Sequence, residues 1–224
     1  MILRRWSLAL ACVAVAACAL SQPASANSIL FIGNSFTFAY GSPVRFYRAD
    51  SVTDLNNEGI GGVPALFKAF TTEAGLAYDV YLETHPGIGL DWHLENKKDV
   101  LTQRGWDAVV MHGFSMLDRT KPGDPTILIS SARQMAVLLR ATNPEVDLYL
   151  TETWPRADQT YDSKGAYFGK SIDVMAQDLH KGYTDAAAGI PGEKTLVASV
   201  GDAWMRAFRT GVADSNPYDG IGCR

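Results

Sequence analysis

The run from Ser28 to Ile32 is short, apolar and continuous, and it ends in Gly33, Asn34 and Ser35, followed by Phe36 and Thr37. A buried strand running into that turn would carry a serine hydroxyl to the carboxyl edge of a sheet. The helix N-terminus beyond it would present backbone N–H groups and a positive dipole end to a developing oxyanion. A nucleophilic serine needs that placement and a base to take its proton. Gly33 is read as the residue whose backbone freedom permits the turn. Position alone leaves a second reading open, in which Ser35 only caps a helix.

The other residue types with chemical potential are sparser. Of four histidines, His85 lies in a Thr84-His85-Pro86-Gly87 turn after a strand, His93 reads as structural and His180 as a solvated position in a late helix. His112, at a strand end, is the best placed of them, yet nothing in the sequence brings it to Ser35. Asp91, His93 and Glu95 lack the paired histidines at i and i+4 of a zinc helix, so no metal is expected. Gly59 to Pro64 lacks the spacing of a dinucleotide-binding loop, and no phosphate-loop signature occurs, so no cofactor is expected either.

The elements that must position these residues alternate along the chain. Strands are predicted at 28–32, 52–56, 77–84, 108–112, 147–153 and 195–200. Helices are predicted at 65–73, 90–102, 127–142, 167–187 and 202–212. Pro64 suits a helix start, and Asn143-Pro144 suits a helix end. Strands alternating with helices imply βαβ crossovers and a mostly parallel, flavodoxin-like sheet in a three-layer α/β/α sandwich. Ligands of such sheets bind beyond the carboxyl ends of the strands.

Composition narrows the partners. The net charge of −4 and the absence of any basic cluster argue against nucleic acid. Residues 1–26 read as a signal peptide: Arg4 and Arg5 precede an apolar run from Trp6 to Leu20, and Ala24-Ser25-Ala26 supplies a cleavage site. The run is too short for a membrane span. Val15-Ala16-Ala17-Cys18 resembles a lipobox, which would leave a lipid anchor on Cys18. Either route predicts an exported domain, periplasmic or secreted, over residues 27–224. Cleavage at Ala26 would leave Cys223 as the only cysteine, so the fold must rest on its core rather than on a disulfide.

Ile32-Gly33-Asn34-Ser35-Phe36-Thr37 resembles the first block of the SGNH (GDSL-like) hydrolases, in the variant with Gly-Asn-Ser in place of Gly-Asp-Ser. The resemblance implies an esterase or lipase-like hydrolase of carboxylic esters, such as carbohydrate acyl groups or lipids, with Ser35 as nucleophile. It implies that the backbone N–H of Gly62, or else of Gly61, helps hold the oxyanion, although either glycine could equally serve only the turn. It places His112 where Gln is expected in these variants, with Ser115 as the alternative oxyanion donor. Asn34 and Trp154, the latter in Glu152-Thr153-Trp154-Pro155-Arg156, would line the substrate pocket. On its own, a Trp at a strand end reads more readily as core. The family carries Asp-x-x-His near its C-terminus as base and orienting acid. Here Asp219-Gly220-Ile221 is followed by Gly222, which predicts a C-terminally shortened domain lacking that histidine. The resemblance therefore leaves two expectations: an ester hydrolase, or a crippled relative that binds a glycan or lipid without turnover.

Overall fold

The computed structural model describes residues 26–192 and 194–213; the signal peptide expected at 1–26 (all but Ala26), Cys18, Cys223 and the Asp219 to Gly222 stretch lie outside them. Six strands form one sheet: β1 (Asn27–Gly33), β2 (Thr53–Asp54), β3 (Tyr78–Thr84), β4 (Ala108–Met111), β5 (Asp147–Thr151) and β6 (Thr195–Ala198). Their order is β2-β3-β1-β4-β5-β6, and every pairing is parallel. The strand order reverses at β1, the switch point where open α/β sheets bind ligands.

The helices are α1 (Gly62–Glu73), α2 (Leu90–Asn96), α3 (Lys98–Leu101), α4 (Thr126–Arg140), α5 (Ala157–Thr160), α6 (Ile172–Ala188) and α7 (Val200–Arg209). Two departures from the sequence pattern have local causes. The segment expected as one helix over 90–102 breaks at Lys97, whose φ of −131° is not helical. The helix expected from 167 begins at Ile172, because Gly169 at φ 80° ends a turn that cannot continue as helix.

β1 is apolar on both faces because it is covered on both. Leu30 and Ile32 join Val109, Met111, Leu148 and Leu150 under α2, α4 and α6. Ile29 and Phe31 face the other way with Val80 and Leu82, where Phe67 of α1 packs edge-on against Phe31 and Tyr78. The result is a three-layer α/β/α sandwich with an all-parallel sheet. On the α1 side, among the described residues, the face of β4, β5 and β6 is open. A groove of about 640 Å³ runs there along Phe31, Val110, Tyr149 and Ala198. Asn27, Tyr78, Asp107 and Asp147, near the amino ends of the strands, also line it, and Ser35 does not.

Candidate active site

The loops after β1, β3, β4 and β5 meet at the carboxyl edge of the sheet. The first of them, residues 34–40, is a tight coil: Phe38 N–H donates to Asn34 C=O (3.1 Å) and Tyr40 N–H to Ser35 C=O (2.9 Å). Asn34, 2% exposed, ties this coil to its neighbours. Its Nδ2 donates to the carbonyls of Ile88 (2.8 Å) and Gly113 (3.3 Å), and its Oδ1 accepts from Phe36 N–H (3.1 Å). Both amide hydrogens and the amide oxygen are engaged in holding loops together, so Asn34 is a strut beneath the pocket. Ser35 follows it, half-buried, and its Oγ has no hydrogen-bond partner among the described residues.

Gly33 is needed here for space rather than for backbone freedom. It lies in extended β1, and a Cβ on it would fall 2.2 Å from Thr37 Oγ1 and 2.4 Å from His112 Nε2. Those two atoms are themselves hydrogen-bonded at 2.8 Å across the glycine. The other ring nitrogen, His112 Nδ1, faces the Gly113 carbonyl at 3.0 Å and must donate to it, since a carbonyl only accepts. Nε2 is then the acceptor for the Thr37 hydroxyl. Burial lowers the His112 pKa to about 4, so the ring is neutral at physiological pH. This arrangement leaves His112 no N–H free to donate to an oxyanion.

Gly62 docks on the same coil. Its φ is 61°, and a Cβ there would lie 2.6 Å from the Thr37 carbonyl oxygen. The next residue fixes the contact, with Val63 N–H donating to that carbonyl at 2.9 Å. Neither the Gly62 nor the Ser35 backbone N–H has an acceptor among the described residues. Free amides held on a packed coil can stabilise a developing anion.

Ser115, 5% exposed, accepts from Arg156 Nη1 at 3.1 Å, which leaves its own proton available to donate. The Arg156 guanidinium is held in turn by Asp158, through Nε to Oδ1 (2.9 Å) and Nη2 to Oδ2 (2.5 Å). Trp154 is half-buried, with its ring centroid 4.3 Å from that of Phe36, the residue after Ser35. Gly113 N–H donates to Tyr183 Oη at 3.1 Å, which anchors the loop after β4 to α6.

Two polar clusters escaped the sequence reading. Glu83 and His93 form a buried ion pair behind the site, and His93 Nε2 faces the Gly33 carbonyl at 3.1 Å. Burial alone would raise the Glu83 carboxyl, but His93, Asn56 and Lys97 together hold it below its ordinary value. The pair fixes β1 immediately before Asn34. His93 is a core histidine, as its sequence context suggested. His180 is not simply solvated: its Nδ1 lies beside Glu152 and Asp202. His85 is exposed and stacks on Trp92 at 4.4 Å. Only its backbone reaches the site, through His85 N–H to Gly33 C=O.

No protein-family model and no curated protein matches the sequence. Solved structures do match. A protein of Slackia heliotrinireducens, assigned provisionally to the SGNH hydrolases, aligns with 89% of this chain and 91% of its own at a TM-score of 0.58 and 23% identity. A DUF4886 family protein from Bacteroides uniformis aligns over 89% of this chain and 76% of its own, at a TM-score of 0.58 and 16% identity. The chain has the SGNH-hydrolase fold. A Clostridium thermocellum family 3 carbohydrate esterase shares it over 79% of each chain, at a TM-score of 0.51 and 14% identity. In the SGNH fold of this chain, the switch-point edge of the sheet is the edge where Asn34, Ser35, Gly62, Ser115 and Trp154 gather.

Proposed function

We propose that this protein is an ester hydrolase working through an acyl-enzyme on Ser35. The observation that supports the reading most is the Ser35 coil. Among the described residues, a hydroxyl with no partner sits at the switch point, on a turn braced by Asn34, with Ser35 and Gly62 amides that have no acceptor. In the proposed reaction Ser35 Oγ attacks the ester carbonyl carbon and gives up its proton to a base. The oxyanion is held by the Ser35 and Gly62 N–H groups and by the Ser115 hydroxyl. The alcohol leaves with a proton, and water then cleaves the acyl-enzyme. Carboxylic esters of carbohydrates or lipids are the proposed substrates. Trp154 and Phe36 would supply the apolar wall, while Asn34 supports it from below. The leader at residues 1–26 and the lipobox cysteine Cys18 are the basis for proposing export, to the periplasm or beyond, with or without a lipid anchor.

One observation favours a second reading, binding without turnover: no histidine is hydrogen-bonded to Ser35 among the described residues. Hydrolysis of p-nitrophenyl acetate by the full chain, beside labelling with a fluorophosphonate probe, separates the two. Turnover and labelling that both vanish in Ser35→Ala are the expected result. A chain that neither hydrolyses the ester nor takes the label above the Ser35→Ala level would sink the hydrolase reading and leave the binding one.

A further inference from the structure

A second constellation lies at the corner where β5, α6 and α7 meet. Glu152 follows β5, His180 projects from α6, and Asp202 sits in the first turn of α7. His180 Nδ1 is 3.2 Å from Glu152 Oε2 and 3.3 Å from Asp202 Oδ2, and one donor atom from each of the three residues lies within 4.8 Å of the others. Zinc bound at about 2.0–2.1 Å to nitrogen and oxygen requires tetrahedral ligand separations of about 3.3 Å. Two of the three separations already have that length.

A single proton serves this cluster unevenly. His180 Nδ1 carries at most one hydrogen, yet it faces two carboxylates at nearly equal distance. A metal ion in place of that hydrogen would engage all three groups at once. The backbone makes room for the arrangement at Gly201, where a Cβ would lie 2.5 Å from Glu152 Oε1 and 2.5 Å from the Thr153 carbonyl oxygen. Exposure is graded in the manner of a loadable site. The Glu152 side chain is 2% exposed and fixed, while His180 and Asp202 are 52% and 44% exposed.

We propose that Glu152, His180 and Asp202 form a divalent-metal site, binding through His180 Nδ1 and one oxygen of each carboxylate, with a further position open to water. One imidazole with two carboxylates suits zinc better than magnesium or calcium, which favour all-oxygen shells. The site does not depend on the Ser35 chemistry. It would cross-link β5, α6 and α7 two residues from Trp154, so loading it would stiffen the wall of the candidate pocket.

The test is zinc competition against a chromophoric indicator, using untagged full-length chain with Cys12, Cys18 and Cys223 changed to Ser to remove thiol ligands. One equivalent should bind at micromolar Kd or tighter. His180→Ala should weaken it by about 100-fold, and Asp202→Asn by about tenfold or more. Both positions are half-exposed, and circular dichroism checks that both variants fold. Zinc should also raise the Tm of the parent but not of His180→Ala, and a chelator should reverse the rise. Binding that is unchanged in His180→Ala, or absent in the parent, overturns the site. Magnesium binding as tightly as zinc overturns the choice of ion.

Discussion

His112 should make this fold acid-sensitive in a way that a single substitution removes. The ring is 4% exposed, and burial takes its pKa from 6.5 to about 4. Below pH 6.5 the unfolded chain takes up a proton on this imidazole, while the folded chain resists doing so until near pH 4. The stability at stake is therefore fully present above pH 6.5 and is lost as pH falls through that window. The difference between the two pKa values corresponds to about 3 kcal/mol in total, or about 1.4 kcal/mol per pH unit in mid-window. With a urea m-value of about 2 kcal/mol/M, the midpoint should fall by about 0.7 M per pH unit from this residue alone. His112→Gln keeps groups able to bond Thr37 and Gly113 but does not titrate. Urea unfolding of both proteins at intervals from pH 7.5 to 4.5 isolates the effect, because carboxylates and other histidines contribute alike to each. Below pH 6.5 the wild type should lose stability more steeply than the His112→Gln variant, so that the two curves converge or cross. Parallel curves across the window would refute the burial argument and the tautomer built on it.

Other outcomes follow from the same contacts. Gly33→Ala drives a methyl into the space where Thr37 meets His112, and should cost about 1–3 kcal/mol by thermal unfolding and reduce any Ser35 labelling. His93→Ala leaves the buried Glu83 carboxylate to Asn56 and Lys97 alone and should cost about 2–4 kcal/mol, measured by urea unfolding at pH 7. Asp107 accepts from Ser28 N–H and Oγ, both at 2.7 Å, which holds its pKa down. Its stabilisation is present above about pH 4 and disappears on further acidification. Asp107→Asn should therefore cost about 1 kcal/mol at pH 7, discounted for the exposure of the carboxyl, and the gap to wild type should close toward pH 2.

The sequence by itself carried the alternation of strands and helices, because local periodicity and turn residues report it directly. The apolar run at 28–32 announced a strand buried on both faces, and the Gly33-Asn34-Ser35 ending announced a serine at its carboxyl edge. The spacing of the elements was enough to specify a parallel three-layer sheet, whose strand ends are where a site must lie. Pairings between distant residues were out of its reach. Nothing local says that Gly33 must lack a side chain so that Thr37 can meet His112, 75 residues further on. Nor does anything local say that His112 is held as a neutral acceptor, or that Asn34 spends its amide on the loops at Ile88 and Gly113. The Glu152, His180 and Asp202 cluster is the plainest case. Its members belong to three elements and share no motif spacing, so only the packing of α6 and α7 against the end of β5 brings their donor atoms within reach of one ion.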